Sequence, residues 1–482
     1  MTKYVLLTGA TGLVGQYLVR DLLVSGDRIA VVVRPTKKSS AVDRVESILQ
    51  MWESELGRRL HRPVVLEGDV SQPRLGVCAE DRKWIHANCD RLIHNAATLQ
   101  FFGADRSGEP WRTNVEGTRH VLDLCRELEI GDLHYVSTAY VCGQREGTIR
   151  EDELDCGQKF RNDYEHSKLI AEKMVRDADF LEHTTVYRPA VISGDSVNGY
   201  TTSYHGLYVY LKMISVLINN MEPSPDGVYD IPIRLNMTGD EPRNIVPVDW
   251  VSQVMCRLMA TPEARGKTFH LSPTQPLTPR QVTEFAHRRF NSRGVTFERS
   301  EDTDGRLNEI DQLAHDTITT YKDYEASDPH FDTRNLLEFT ADIPCPVIDD
   351  EMLDCYCRFA EQDKWGKRRQ SDPVVPFRVR DYLQQRIPSN NGTNGNGNGR
   401  TSVMGLNVLG PGGGQWKLDL HGDAVSALSV GLPLDNAPVL EMTVDQFTRS
   451  VEGSQSWREA DAGAEFDREP TSASALDALF AE

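Results

Sequence analysis

Tyr164 and Lys168 stand four residues apart in NDYEHSKLIAEK (Asn162–Lys173), a spacing that puts both side chains on one face of a helix. A phenol titrates near ~10 and is a poor acid catalyst at neutral pH, but a neighbouring ammonium favours its ionised form. Such a pair gives a tyrosine able to pass a proton to or from a carbonyl oxygen. Upstream, HYVSTAYVCG (His134–Gly143) ends an apolar run at Ser137 and Thr138, and the Thr138 hydroxyl can hydrogen-bond the same oxygen. A tyrosine and a lysine at this spacing also occur on exposed helix faces. What favours chemistry here is the turn that opens the chain.

That turn is Thr8-Gly9-Ala10-Thr11-Gly12-Leu13-Val14-Gly15, entered from the apolar run YVLL and followed by a helix-like segment. In this setting Gly9 permits a tight turn and Gly12 lets the backbone approach a pyrophosphate. Gly15 allows the helix to pack on the sheet, and the helix N-terminus favours the phosphate charge. A purely structural glycine turn is the competing reading, and the strand before and helix after weigh against it. The second strand ends in VVVRPTKK, which places Arg34, with Lys37 and Lys38, where an NAD-binding chain would carry a carboxylate. A guanidinium can fork onto a 2′-phosphate, favouring NADP; a solvated basic turn is the alternative.

Positioning these groups requires a particular framework. Short apolar runs at Tyr4–Leu7, Ile29–Val33, Val64–Leu66, Leu92–Ile93, Leu133–Val136 and Thr184–Tyr187 alternate with amphipathic stretches such as Val14–Val24 and Gly117–Leu128. Strands alternating with helices predict an α/β fold, a doubly wound parallel Rossmann sheet covered on both faces. With 482 residues the chain exceeds one ordinary core. Residues 1–260 read as the nucleotide-binding domain, interrupted near 195–240 by a substrate-lobe insertion. Asn244–Met259 looks like a return strand and helix that complete it. Residues 261–387 read as the rest of a smaller substrate lobe. Residues 388–402, containing PSNNGTNGNGNGR, read as a flexible linker, and 403–482 as a small acidic C-terminal α+β segment.

Composition excludes several classes. The net charge of −19 argues against nucleic acid, whose phosphates need a basic face. Nine scattered cysteines without paired spacing fit neither a disulfide framework nor a metal site. No run approaches the ~18 apolar residues a bilayer demands, and no signal peptide is evident, so a cytoplasmic protein is expected.

The motifs TGATGLVG, HNAA (His94–Ala97), TNVEGT (Thr113–Thr118), STAYVCG, YEHSK, YRPAVISG (Tyr187–Gly194) and VPVDWV (Val246–Val251) occur in order. In this combination the chain resembles an extended short-chain dehydrogenase/reductase over about residues 3–290. The resemblance implies that Asp69 and Val70 flank the adenine and that Ala96 and Ala97 line the nicotinamide side. It implies a catalytic set of Thr138, Tyr164 and Lys168, with Lys168 also holding the nicotinamide ribose, and puts Pro189 and Ile192 near the carboxamide. GDVSQPRLGV (Gly68–Val77) and the long RVESILQMWESELGRRL before it are similar to the thioester-reductase branch, which includes fatty acyl-CoA reductases and the terminal domains of carboxylic acid reductases. Members reduce an acyl chain carried on coenzyme A or a carrier protein, using NADPH, to an aldehyde or an alcohol. No adenylation or carrier domain is read in this sequence, so a thioester borne by a separate partner, such as an acyl carrier protein, is expected.

Weaker signals complete the reading. Cys142 is expected to be a buried structural thiol, and His94 a packing or hydrogen-bonding residue. YHGLYVYLKMISVLI (Tyr204–Ile218) reads equally as the wall of an acyl cleft or as an ordinary buried helix. Val403–Gly453 is similar to the strand-rich middle of sterol-carrier-protein-2-like lipid-binding domains, which implies a hydrophobic substrate; a partly ordered acidic tail is the alternative. Other extended-family enzymes remain as rivals, namely ketone, aldehyde or hydroxysteroid oxidoreductases and nucleotide-sugar epimerases. A non-catalytic dinucleotide or lipid scaffold is a further one.

Overall fold

Seven short apolar runs join into one parallel sheet. They are β1 (Tyr4–Thr8), β2 (Ile29–Val33), β3 (Val64–Glu67), β4 (Cys89–His94), β5 (Asp132–Val136), β6 (His183–Pro189) and β7 (Thr268–Leu271). Their order is β7-β6-β5-β4-β1-β2-β3, with every neighbouring pair parallel. The computed structural model describes residues 3–298, 326–368, 372–387, 401–421, 424–460 and 476–480.

β1, β2 and β5 are buried along their whole length. The near-continuous apolar sequences of β1 and β2 follow from that, because helices cover both faces of the sheet. One face is covered by α1 (Leu13–Val24) and α2 (Ala41–Leu56), through Leu18, Leu49 and Trp52. The other is covered by α3 (Ala79–Asn88), α4 (Gly117–Glu127) and α5 (Asp163–Arg176), through Ile85, Val121, Leu124 and Val175. Caps set the limits of α2: the Ser40 hydroxyl accepts the Asp43 amide, and Gly57 stops the helix at a φ of 65°. Strand order reverses between β1 and β4, so their carboxyl ends open a crevice there.

α6 (Leu207–Ile218) belongs to the smaller lobe. α7 (Val248–Ala260) then returns to the first face of the main sheet. The return strand expected before it, Ile245–Pro247, pairs with Val191–Ser193 in a separate two-stranded ribbon. The main sheet is closed instead by β7, beyond the boundary expected at residue 260. That strand is only four residues long, TFHL, too short to show a period. α8 (Pro279–Phe290) and α9 (Asp350–Gln362) complete the lobe, packing on α6 through Leu211, Phe285 and Tyr356.

The C-terminal segment folds. α10 (Val379–Arg386) and α11 (Val444–Val451) cover a sheet of β8 (Thr401–Leu409), β9 (Gly414–His421), β10 (Ala424–Val430) and β11 (Val439–Thr443), in the order β10-β9-β8-β11. Met404, Leu406, Trp416 and Leu440 of the sheet bury against Leu383 and Phe447. The sheet docks beside the amino-terminal ends of the main strands, away from the crevice: the Leu432 amide donates to Tyr4 Oη at 2.7 Å and Trp84 Nε1 to the Val430 carbonyl at 2.7 Å. Of the expected linker, 388–400 lies outside the described residues and Thr401 and Ser402 already belong to β8.

Candidate active site

The three glycines of the first turn are required for different reasons. Gly9 sits at a φ of +73°, and a Cβ there would lie 2.6 Å from the Ala96 amide nitrogen. A Cβ on Gly15 would overlap the Gly9 carbonyl oxygen. Both are glycine because the fold needs them to be. A Cβ on Gly12, by contrast, would meet only the Gly9 oxygen, at 3.5 Å, which is ordinary contact. Gly12 caps α1 with no side chain of its own, and Leu13 and Val14 line a cavity where the first helical amides lack partners within the helix. An anion meets partial positive charge and open backbone at this point.

The cavity measures about 1170 Å³. It brings together Gly9, Thr11, Gly12, Leu13, Val14, Arg34, Asp69, Val70, Ala96, Ala97, Thr138, Tyr164, Lys168, Pro189 and Ile192. Thr8 and Gly15 do not line it. The Thr8 hydroxyl is spent on His94 Nδ1, 2.9 Å away, and Gly15 packs against the turn.

At the β2 end of the cavity Arg34 pairs with Asp69 at 3.2 Å while remaining 68% exposed. Lys37 and Lys38 are exposed and do not reach the cavity. Their expected place is taken by Arg44, to which sequence reasoning gave no role. Arg44 donates to Thr11 Oγ1 at 2.9 Å and to the Arg34 carbonyl. Burial and the Arg34 charge lower its pKa, so two cations are held side by side at the cavity edge. One signal was visible in the sequence: an arginine near the start of a helix faces the unfavourable end of the dipole.

α5 presents the other functional face. Asn162 caps it, accepting the Glu165 amide at 3.0 Å. Tyr164, Lys168, Glu172 and Arg176 then follow at four-residue intervals on one ridge. Tyr164 borders the cavity with Thr138 as its hydrogen-bond partner. Burial pushes the phenol up to about 12. Lys168 Nζ donates to Tyr135 Oη at 2.9 Å and to the Val136 carbonyl at 2.7 Å, and burial brings its pKa down to about 7. The expected depression of the tyrosine by a neighbouring ammonium is therefore not found. The phenol is a neutral hydrogen-bond donor at physiological pH.

Behind this pair lies a buried ionic cluster. Glu172 accepts the Ser137 hydroxyl at 2.6 Å and receives Arg188 at 2.7 Å and Arg176 at 2.7 Å. The cluster ties the end of β5, where Thr138 sits, to α5 and β6. Cys142 is buried, as expected, and its thiol is pushed up to about 12 by burial. Beyond Thr138 the cavity continues between α6 and α8, along Leu207, Tyr210, Leu235, Met237 and Val282.

A parallel doubly wound sheet with a glycine turn at its switch point, and a Thr/Tyr/Lys set beside it, defines an extended short-chain dehydrogenase/reductase. Residues 7–255 match the family described as Male sterility protein, and the chain belongs to that family, in its thioester-reductase-like branch. It is 29% identical over 273 residues to a linear gramicidin synthase of Brevibacillus parabrevis, covering 55% of this chain but 5% of that protein. It is 25% identical over 223 residues to the fatty acyl-CoA reductase wat of Drosophila melanogaster, covering 39% of this chain and 43% of that protein. The chain thus spans less than half the length of these two curated relatives. Among solved structures it resembles the terminal R domain from the myxalamid PKS-NRPS biosynthetic pathway, with a TM-score of 0.59 and 25% identity over 77% of this chain and 93% of that one. No helix of the described residues is long and apolar enough to cross a membrane.

Proposed function

We propose that this protein uses NADPH to reduce a hydrophobic acyl thioester, carried on coenzyme A or a carrier protein, to an aldehyde or an alcohol. The observation that supports this most is the continuity of one cavity, from Gly12 and the Arg34–Arg44 pair, past Thr138 and Tyr164, into apolar walls between α6 and α8. Gly12 leaves room for a pyrophosphate, and the two guanidiniums match the 2′-phosphate that separates NADP from NAD.

The bound dinucleotide would supply hydride to the thioester carbonyl carbon. The Thr138 and Tyr164 hydroxyls meet the carbonyl oxygen and stabilise the charge that develops on it. Tyr164, held neutral by burial, has a proton to give. Collapse of the resulting hemithioacetal expels the thiol and leaves the aldehyde, which would reach the alcohol only with hydride from a second NADPH, Thr138 and Tyr164 meeting its oxygen as before. The likeness of 403–453 to lipid-binding domains accords with an acyl substrate.

A panel of acyl-CoA chain lengths and the matching aldehydes, followed by NADPH absorbance, tests the reading. Turnover that rises with chain length supports it. Turnover with ketones or nucleotide sugars and none with any thioester would remove it.

A further inference from the structure

Under the cavity floor a line of buried polar side chains crosses the carboxyl edge of the sheet. Thr8 Oγ1 lies 2.9 Å from His94 Nδ1, and His94 Nε2 lies 3.1 Å from Thr118 Oγ1. The Tyr135 ring lies beside His94, with centroids 5.7 Å apart, its hydroxyl faces Thr118, and Lys168 Nζ donates to that hydroxyl at 2.9 Å. None of the five residues is more than 2% exposed.

The direction of the protons from Thr118 through His94 to Thr8 follows from one contact. Thr118 Oγ1 lies 2.6 Å from the Asn114 carbonyl oxygen, a group that can only accept. The single threonine proton is committed there, so toward His94 the threonine oxygen accepts. His94 is therefore protonated at Nε2, and its bare Nδ1 takes the Thr8 hydroxyl proton. Burial and the Lys168 charge keep this imidazole neutral, bringing its pKa down to about 3. Thr8, having given its proton away, accepts the Ala96 amide at 3.3 Å. Tyr135 Oη turns a lone pair to the lysine.

We propose that this chain is a positioning device for Lys168, in which Tyr135, oriented by Thr118 and His94, engages one ammonium proton beside the Val136 carbonyl and leaves the third for the cofactor cavity. The inference rests on Lys168 being the lysine of the proposed reaction. The groups facing Lys168 are Glu172 and Tyr164 from its own helix, Tyr135 from β5 and His94 from β4. Arg188 of β6 and Arg176 of α5 act through Glu172, which they pair. Among these groups Tyr135 is the neutral side chain that accepts from the ammonium, so its loss disfavours the charged lysine without altering the net charge of the site. The same frame fixes Thr8 and Ala96, so the glycine turn and the lysine are held in one register.

The test compares Tyr135→Phe, Thr118→Val and Thr118→Ser with the parent chain. Lysine is labelled with 13C at Cε, and the Lys168 resonance is assigned by its loss in Lys168→Met. In Tyr135→Phe the Lys168 titration midpoint is expected to fall by roughly one pH unit, the size of one hydrogen bond to a charged group. Thr118→Val should shift it the same way by less, and Thr118→Ser should restore it. A midpoint unmoved in a folded Tyr135→Phe or Thr118→Val protein overturns the proposal. A midpoint that moves while the pH profile of NADPH turnover stays put upholds the chain and removes Lys168 from the reaction instead. Should Tyr135→Phe fail to fold, the two Thr118 variants answer the same question.

Discussion

Lys168 lies one helical turn beyond Tyr164, yet the two make different bonds: the phenol partners Thr138, and the ammonium partners Tyr135 Oη and the Val136 carbonyl. Each group is thus prepared separately, one as a neutral donor and one as a cation close to losing its charge. Lys168 is charged below about pH 7 and neutral above it. If the ammonium is needed to hold the cofactor, kcat/KM with NADPH varied should be level below that pH and fall as the pH rises through it. A pH–rate profile level through neutrality to alkaline pH contradicts this.

The glycines separate folding from binding. Gly15→Ala forces a methyl group onto the Gly9 carbonyl and should lower the melting temperature sharply. Gly12→Ala meets only ordinary contact, so it should melt like the parent while losing dinucleotide affinity by tenfold or more, the scale of one displaced phosphate contact. Thermal melts and dinucleotide titrations on both variants check the contrast. Equal melting losses would remove it.

Coenzyme preference should rest on Arg34 and Arg44. Replacing either by alanine removes charge-assisted bonds and should raise KM for NADPH by roughly ten- to a hundredfold, leaving NADH kinetics nearly unchanged. Steady-state assays with both coenzymes decide it, and parallel losses with NADH would contradict the 2′-phosphate role.

Glu172 ties acid stability to the site. Its carboxyl is held at about 2, against 4.5 in the unfolded chain, chiefly because Arg188 and Arg176 outweigh the cost of burial. A depressed carboxylate stabilises the fold fully above pH 4.5 and loses that contribution as the pH falls toward about 2. Glu172→Gln leaves Arg188 buried without its partner and should cost ~3–5 kcal/mol at neutral pH. Denaturant melts at pH 7 and pH 3 test this: the difference between variant and parent should shrink at the lower pH.

The parallel sheet, its glycine turn and the Thr138, Tyr164 and Lys168 set were legible because each leaves a local mark: a β-branched run, a glycine spacing, an i,i+4 pair. What escaped is made by long-range contact. β7 is four residues with no period, and it joins the sheet only because β6 offers an edge. Arg44 reaches Thr11 across 33 positions, and the Thr8–His94–Thr118–Tyr135 line draws on four separated segments. The predicted effect of Lys168 on Tyr164 failed for a related reason: helix spacing puts two side chains on one face, but nearby acceptors on β5 decide where the ammonium goes.

The central claim is that Tyr164 gives its proton to an oxygen of a substrate reduced at this cavity. The direct measurement is single-turnover oxidation of NADPH by a long-chain acyl-CoA, comparing the parent chain with Tyr164→Phe at equal coenzyme saturation. Unchanged NADPH binding is expected, with a rate lowered by about 10²–10⁴-fold, the usual worth of a positioned acid. An undiminished rate in the phenylalanine variant would contradict it.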